Sequence, residues 1–215
     1  MIEEQINNLK GRIVSFTYHV ENMLKESIKG LSELDNEILK DVIEISEKEA
    51  NKLDNSIEKQ CIAAIAQFSP KAMNLRTLLM IMKMNKDIER MADHCVNISL
   101  HAKDIIKPNI NKQKYFQMLQ LMSDEVKVML KHSIESFVNE NLDLAKTVRK
   151  RDEKVDKYQQ DLTKYFIQKM KKKSDLIEYS LHFIKIVNNL ERIADLSTNI
   201  AEDVVFAFEG KVIKH

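Results

Sequence analysis

Residues 89–98 read ERMADHCVNI, and residues 191–200 read ERIADLSTNI. Six of the ten positions are identical, and the two stretches lie 102 residues apart in a chain of 215 residues. A match at such a spacing indicates that one structural unit has been duplicated in tandem. The sequence therefore predicts two similar halves, which we place at residues 1–108 and 109–215.

Residues that interrupt helices are few in this chain and nearly evenly spaced. There are 3 glycines and 2 prolines. The breaks fall at Gly30, Pro70, Pro108, Gly210, 139–141 and 173–175. Between them apolar residues recur every three or four positions, as on one face of a helix, and Ser69 before Pro70 is typical of a helix N-cap. The predicted fold is all-α, with six long antiparallel helices that form two three-helix bundles.

The composition excludes several classes of protein. Hydrophobic residues make up 44% of the chain, which is too many for a disordered protein, and no stretch of about 18 apolar residues exists that could span a membrane. The acidic start at Glu3 and Glu4 does not resemble an export signal, so we expect a cytoplasmic protein. A net charge of +1 argues against nucleic-acid binding. Cys61 and Cys95 lie in helical segments, where we expect buried, reduced thiols.

The acids of the repeated stretch lie on the apolar side of their own helices. At about 100° per residue, with Glu191 as the origin, Asp195 lies at about 40° and Glu202 at about 20°, on a stripe of aliphatic residues. Glu89 and Asp93 repeat this arrangement in the first half. The sequence therefore predicts carboxylates that face a seam between helices.

A second set of acids precedes these helices in each half. Asp152 and Asp156 lie in the fifth helical segment with the spacing i, i+4, which places them one turn apart on one face. The matching positions of the second segment are Glu47 and Asn51, with Asp54 one turn further on. Antiparallel packing of neighbouring helices would bring each set opposite the acids of the repeated stretch.

Carboxylates at a helix seam need a compensating charge, because an unpaired one costs several kcal/mol or takes up a proton. The charge can come from a metal ion or from a network of salt bridges with Arg and Lys. Arg90 and Arg192 lie about 100° around the helix from the acids beside them, so we do not expect direct pairing there. Carboxylates without cysteine or clustered histidine favour iron, with Mn, Mg or Zn as alternatives. The six histidines show no ligand-like spacing.

The candidate metal ligands are acids of both halves: Glu47, Asp54, Glu89, Asp93, Asp152, Asp156, Glu191, Asp195 and Glu202. Five further side chains are candidates for supporting these ligands by hydrogen bonds: Asn51, Asn97, Asn199, Arg90 and Arg192. For Asn97 and Asn199 the alternative is a pair of polar residues that fix the helix register.

These residues resemble the signature of the PhoU family, the accessory regulators of bacterial phosphate uptake. The family signature reads roughly E-R-I-G-D-h-x-x-N-I, and both copies here carry alanine, Ala92 and Ala194, in place of the usual glycine. Residues 70–76, PKAMNLR, resemble the family's P-x-a-x-D-L-R start of the third helix, and residues 152–156 match its fifth-helix motif. The resemblance extends over nearly the whole chain.

The resemblance implies a regulator without catalytic activity. Family members are duplicated three-helix bundles that bind multinuclear metal clusters through paired acidic motifs, here Glu89, Asp93, Asp152, Asp156, Glu191 and Asp195. They associate with the ATPase of the phosphate ABC transporter and with a membrane sensor histidine kinase, and they restrain the phosphate-starvation response. We also expect a homodimer, and contact with the membrane only through such partners.

Two alternatives to a metal-binding regulator remain open. A metal-free helical scaffold would hold the same acids in salt bridges and would tolerate Glu191→Gln. A carboxylate-bridged di-metal enzyme would use Glu-x-x-His ligand pairs, and no histidine of this chain has Glu three residues before it. Within the metal hypothesis, Asn51 stands where the motif has its second acid, so we expect the first half to bind metal less tightly or to bind another metal.

Overall fold

A computed structural model describes residues 1–105 and 113–209. The helices run Ile2–Glu33 (α1), Asn36–Asp41 (α2), Glu47–Phe68 (α3), Ala72–Ile105 (α4), Gln113–Val138 (α5), Leu142–Lys172 (α6) and Ile177–Glu209 (α7). A π-helical turn, Val42–Ser46, joins α2 to α3, and a 3-10 turn, Ser174–Leu176, precedes α7. The expected boundary between residues 108 and 109 and the expected breaks at Pro108 and Gly210 lie outside the described residues.

The helices form two three-helix bundles that lie side by side. In the first half α4 packs against α1 and α3, and in the second half α7 packs against α6 and α5. The two bundles meet where α4 contacts α7 and where α1 contacts α5. The described ranges contain no strand, and the prediction of an all-α tandem repeat of three-helix bundles is confirmed.

The core consists of the apolar stripes that the helical spacing predicts. In α1, Leu9, Ile13, Phe16 and Val20 lie three or four residues apart, and each has at most 1% of its surface exposed. Burying one such side chain contributes about 1.5–3 kcal/mol. The opposite faces carry charged side chains, and none of the helices in the described ranges is long and apolar enough to cross a membrane.

The first break lies later in the chain than predicted. Gly30 is inside α1, and the chain turns at Leu34, which adopts a left-handed conformation with a φ of 59°. Asp35 then caps α2 by accepting hydrogen bonds from two backbone N–H groups of the first turn. Gly30 lies so near Leu39 that a Cβ atom on it would be 2.7 Å from Leu39 Cδ2. This glycine allows α1 and α2 to approach each other, and it does not end a helix.

Ser69 and Pro70 end one helix instead of starting the next, so the predicted N-cap at Ser69 is wrong. Ser69 adopts a φ of 44°, and its N–H donates to the carbonyl of Ile65, which closes the last turn of α3. Proline disfavours helical conformation in the residue before it, and it has no N–H with which to continue the helix. The next helix, α4, begins at Ala72.

The two polar breaks of the second half lie where the sequence predicts them. The first separates α5 from α6, and the Asn141 side chain caps α6 by accepting a hydrogen bond from the N–H of Leu144. The second separates α6 from α7, with Lys173 in an extended conformation. Short connections of this kind place consecutive helices antiparallel.

Cys61 and Cys95 are buried free thiols, as the sequence predicts. Burial, with a contribution from the charge of Glu58, raises the pKa of Cys61 to about 11. Burial also raises the pKa of Cys95. Both thiols are protonated at neutral pH, so they are poor nucleophiles and poor metal ligands.

Candidate metal centre

Five predicted acids lie along the seam where α6 packs against α7. We call this set the acidic cluster: Asp152 and Asp156 on α6, and Glu191, Asp195 and Glu202 on α7. Burial raises the pKa of Asp152 to about 6, and the charges of Asp156, Asp195 and Glu202 add to the rise. Val155, between the two acids of α6, is fully buried and holds this turn against the core. The acids of both helices are therefore close enough to repel one another.

The acids of the repeated stretch on α7 show the same effect. Burial raises the pKa of Glu191, and repulsion by Asp195 raises it further. Burial also raises the pKa of Asp195, although Arg192 opposes this effect. A raised pKa means that the ionised form is disfavoured in the folded protein, here by burial first and by the neighbouring carboxylates second. A cation placed among them would remove this cost.

Arg192 supplies part of that positive charge, and the prediction that it would not reach the neighbouring acids is wrong. Its Nη1 donates a hydrogen bond to Asp195 Oδ2 over 3.1 Å, and its Nε lies 3.7 Å from Glu191 Oε2. The helical wheel describes where Cβ points, whereas the long arginine side chain folds back along the helix surface. Because this side chain is 63% exposed, water screens the pairs and they contribute little to stability.

With the exception of Asp54, the predicted acids lie at the rim of the helix seams and are not fully buried. Asp152, Glu191 and Asp195 are half-buried, while Asp156 and Asp93 are exposed. Nowhere in residues 1–105 and 113–209 do three carboxylates bring oxygen atoms within 4.8 Å of one another. Like charges repel, and side chains at a rim are free to rotate apart.

In the first half a lysine lies between the acids. Asp54 is only 6% exposed, and Lys86 Nζ lies 3.1 and 3.0 Å from its two carboxylate oxygens. Asn85 Nδ2 donates a further hydrogen bond to Asp54 Oδ1 over 2.7 Å. The same Lys86 Nζ is 2.9 Å from Glu58 Oε2. The chain thus compensates Asp54 with a cation of its own.

The second half has no equivalent of this lysine. The residue 102 positions after Lys86 is Asn188, whose Oδ1 accepts a hydrogen bond from Gln159 over 3.3 Å. Gln159 takes the place of Asp54 when the acidic motifs of the two halves are aligned. Neither Lys86 nor Glu58 was among the site residues predicted from the sequence. A position-by-position comparison of the two halves could have found Lys86, because it is charged in one copy and neutral in the other.

Glu89 joins the acids of the first half. Burial raises the pKa of Glu89, and the charges of Asp93 and Asp54 add to the rise. Of the positions that match Asp152 and Asp156, Glu47 is half-buried and Asn51 is exposed. The structure therefore brings Glu89, Asp93 and Asp54 into one electrostatic group.

All five predicted supporting residues lie on the surface, Asn51 and Arg192 included. Asn97, Asn199 and Arg90 are all exposed, and Arg90 Nη1 lies 3.6 Å from Asp87 Oδ1, one turn earlier on α4. A residue that fixes helix register must lie between helices. The exposure of Asn97 and Asn199 therefore argues against the register alternative.

The acidic cluster fits the requirements of a hard or borderline cation. Its donors are carboxylate oxygens from two packed helices, and their pKa values are raised by burial and, to a smaller degree, by the neighbouring carboxylates. Such donors suit iron, manganese and magnesium. In the first half the ammonium group of Lys86 already lies between the carboxylates of Asp54 and Glu58.

Known proteins share both the sequence pattern and its arrangement along the chain. Two segments, residues 13–102 and 119–204, each match the PhoU domain. Similar proteins from Clostridium acetobutylicum and Aquifex aeolicus are 26% and 28% identical in alignments that cover 99% of this chain and 96% and 95% of theirs. Both carry the description phosphate-specific transport system accessory protein PhoU homolog.

Solved structures share the fold over its full length. The crystal structure of PhoU from Pseudomonas aeruginosa has a TM-score of 0.91 and 22% identity, and the match covers 98% of this chain and 100% of that one. The phosphate transport system regulatory protein PhoU from Streptococcus pneumoniae has a TM-score of 0.90 and 24% identity, with 100% of both chains covered. Because the PhoU domain matches twice and spans most of the sequence, the resemblance read from the motifs is confirmed: this chain belongs to the PhoU family.

Proposed function

We propose that this protein is a metal-dependent accessory regulator of phosphate-specific transport that restrains the phosphate-starvation response. The observation that carries the proposal is the acidic cluster, in which α6 and α7 place carboxylates that repel one another along one helix seam. The descriptions of the relatives support the link to phosphate transport, and they name an accessory protein, not a reaction. The proposed role is therefore regulatory, not enzymatic.

The proposed metal ligands of the second half are the members of the acidic cluster. Asp152 and Asp156 would bind from α6, and Glu191, Asp195 and Glu202 from α7. A bound cation would supply positive charge where the carboxylates now repel one another. The side chains must rotate inward to reach bound ions. Because Glu191 and Glu202 lie about 16 Å apart along α7, the five carboxylates would hold more than one ion. We favour iron, with manganese, magnesium and zinc as alternatives.

For the first half we propose weaker metal binding. Glu89 and Asp93 offer carboxylates, but Asp54 is held by Lys86, and Asn51 offers a neutral amide where the motif has an acid. The alternative to a metal ion is a network of salt bridges. The first half supports this alternative, because Lys86 acts there as the cation.

We place the protein in the cytoplasm, as a homodimer, between the ATPase of a phosphate transporter and a sensor histidine kinase. The descriptions of the relatives support the transporter as a partner. The kinase, the homodimer and the cellular location are proposed from the family resemblance. In this arrangement metal binding at the acidic cluster sets the shape that the partners recognise.

Elemental analysis of protein purified without an affinity tag or chelator tests the metal. We expect near-stoichiometric iron or manganese, lost in the Asp152→Asn/Asp195→Asn variant with helical content unchanged. The matched control is Asp143→Asn/Asp161→Asn, which removes two exposed carboxylates of α6 outside the cluster. Metal-free protein that stays folded and takes up no added ions would contradict the metal and favour the scaffold.

Regulation is tested in a strain of the protein's own species that lacks this gene and carries a reporter for phosphate starvation. We expect the wild-type protein and the Asp143→Asn/Asp161→Asn control to keep the reporter low in phosphate-rich medium. The Asp152→Asn/Asp195→Asn variant should leave it high. A low reporter without the gene would contradict the regulatory role, whatever the metal analysis shows.

A further inference from the structure

Two histidines and a carboxylate meet where the two bundles touch. His101 and Asp104 lie one turn apart near the end of α4, and His182 lies near the start of α7. The Nδ1 atoms of His101 and His182 are 3.4 Å apart, and His182 Nδ1 is also 3.4 Å from Asp104 Oδ2. We call these three residues the histidine cluster. The sequence spacing of the histidines did not indicate this contact, because it forms between two helices that are distant along the chain.

The histidine cluster is separate from the acidic cluster. On α7, His182 precedes Glu191 by nine residues, which is about 14 Å along the helix axis. The seam between α4 and α7 runs antiparallel, so that His101 faces His182 and, two turns away, His94 Nδ1 lies 2.8 Å from Asn189 Oδ1. The histidine cluster therefore lies towards one end of the seam that joins the first repeat to the second.

The spacing of the ligand atoms is that of a transition-metal site. Tetrahedral zinc binds histidine nitrogen at about 2.0–2.1 Å, which places two ligand atoms of one ion about 3.3–3.4 Å apart. Both separations at His182 Nδ1 are 3.4 Å, and the three ligand atoms all lie within 4.8 Å of one another. Of the His, Cys, Asp and Glu residues in the described part of the chain, no other group of three meets that distance.

The surroundings hold the rings in place and leave one side open. His101 and His182 are half-buried in the seam, while the Asp104 side chain is 59% exposed, so water can reach a remaining coordination position. Lys185 on α7 lies close enough to His101 for its positive charge to act on the imidazole. Lys185 also repels a cation, which limits the affinity.

We propose that His101, Asp104 and His182 form a second metal site, for a borderline ion such as Zn²⁺, that links the two repeats. Two imidazoles and one carboxylate are the protein ligands of open zinc sites, where water takes the fourth position. An ion bound here ties α4 to α7 directly and stabilises the contact between the bundles. The nitrogen donors distinguish this site from the acidic cluster, which offers oxygen alone.

Zinc titration of the Asp152→Asn/Asp195→Asn variant tests the site with the acidic cluster weakened. We expect calorimetry to show binding of Zn²⁺ and the imidazole NMR signals of His101 and His182 to shift. In that background His101→Gln/His182→Gln should lower the zinc affinity at least about tenfold, the loss typical even of groups that only support a ligand. The matched control is His132→Gln, which removes a half-buried histidine of α5 and should leave the affinity unchanged.

The proposal would be overturned if the imidazole NMR signals of His101 and His182 did not respond to zinc. This measurement leaves all three residues of the histidine cluster unsubstituted. Equal zinc affinity in the His101→Gln/His182→Gln and His132→Gln variants would also overturn it. If the double variant does not fold, Asp104→Asn replaces it, because this side chain is exposed and the same direction of effect is expected. If the Asp152→Asn/Asp195→Asn variant loses the metal of the acidic cluster but still binds zinc at the histidine cluster, the two sites are independent. The zinc site can then be judged separately from the proposed regulatory function.

Discussion

At the level of single residues, the two halves balance their seam carboxylates in different ways. In the first half Asp54 is held by Lys86 and by Asn85. In the second half Asp152 has other acids as neighbours, and its pKa is raised. An adjacent ammonium group stabilises an ionised carboxylate, whereas adjacent carboxylates destabilise it. Removing the positive charge of Lys86 should therefore destabilise the first half. Removing the negative charge of Asp152 should stabilise the metal-free second half.

Lys86→Met should destabilise the protein, because Asp54 would stay buried without its cation. Breaking a buried pair costs about 3–5 kcal/mol. Since the Lys86 side chain is 49% exposed, solvent screening reduces our expectation to about 1–2 kcal/mol. Urea unfolding followed by circular dichroism measures the change.

The control for this substitution is Lys29→Met. Lys29 pairs with Glu26 on the surface of α1, and the loss of such a pair changes stability by less than about 0.5 kcal/mol. Equal losses in the Lys86→Met and Lys29→Met variants would show that the buried carboxylate does not depend on Lys86.

The metal-free protein should lose stability as the pH rises through the ionisation of Asp152. Its pKa of about 6 in the folded protein lies above the ordinary value of 3.8, so the folded state binds more protons than the unfolded state between these values. The stabilisation is complete at a pH below the pKa of Asp152 in the unfolded chain. It is lost as the pH rises through the pKa of Asp152 in the folded protein. Glu191 and Asp195 shift in the same direction. Urea unfolding in chelator at about pH 5 and about pH 7.5 measures the difference.

Asp152→Asn should flatten this pH dependence and stabilise the metal-free protein at neutral pH, because one of the repelling charges is gone. Asp161→Asn is the control, since Asp161 is exposed on the same helix, and it should keep the wild-type profile. An unchanged pH profile in the Asp152→Asn variant would refute the assignment of the shift to this carboxyl group.

At the level of helices, the junctions depend on what each helix packs against. α1 continues past Gly30, because Leu39 packs against the helix at this glycine and is fully buried there. The π-helical turn Val42–Ser46 then carries the chain from α2 into α3 without a break. A π turn inserts an extra residue into the helical repeat and so changes which face the following helix presents. α2, the π-helical turn and α3 therefore form one continuous helix, and the π turn shifts the face that α3 presents to the core.

Gly30→Ala and Gly11→Ala should change stability in opposite directions, although both residues lie in α1. Alanine is favoured over glycine in a helix by about 0.8–1.0 kcal/mol, and at Gly11 nothing lies within 4 Å of the added Cβ. At Gly30 the added Cβ would be 2.7 Å from Leu39 Cδ2, and overpacking of this kind costs about 1–3 kcal/mol. Urea unfolding compares the two variants, and stabilisation of both would contradict the close approach of α1 and α2.

At the level of the whole molecule, two seams join the first bundle to the second. Between α1 and α5, Lys10 Nζ lies 5.3 Å from the centre of the Phe137 ring, and it also reaches Glu140 Oε1 at 3.3 Å. Between α4 and α7, Lys83 Nζ lies 2.7 Å from Asp203 Oδ1. Opening either bundle would expose a face that the other one covers, so we expect the two repeats to unfold together.

Tyrosine fluorescence and circular dichroism should therefore give the same urea midpoint. The chain has 5 tyrosines and no tryptophan, and all of the tyrosines except Tyr18 lie in the second half. Tyr115 contacts Tyr179 and Tyr165 in that bundle, so fluorescence reports on the second half, while circular dichroism reports on all helices. Two separate midpoints would show that the bundles unfold independently.

The sequence by itself determined the helical class, the duplication, the buried thiols and the one-turn spacing of the acids. All of these depend either on residues a few positions apart or on the recurrence of one stretch. Both can be read from the order of the residues alone. The family assignment followed from the same motifs. The metal ligands named from the sequence stay a prediction, although the structure places Asp152, Asp156, Glu191, Asp195 and Glu202 at one seam.

Only the tertiary structure decided which side chains meet across the seams. Lys86 compensates Asp54 from 32 residues away, and His182 meets His101 across 81 residues. Such contacts depend on how far one helix slides along and turns against another, and side-chain periodicity does not specify this. A helical wheel predicts the face on which a residue lies, but its partner is set by packing.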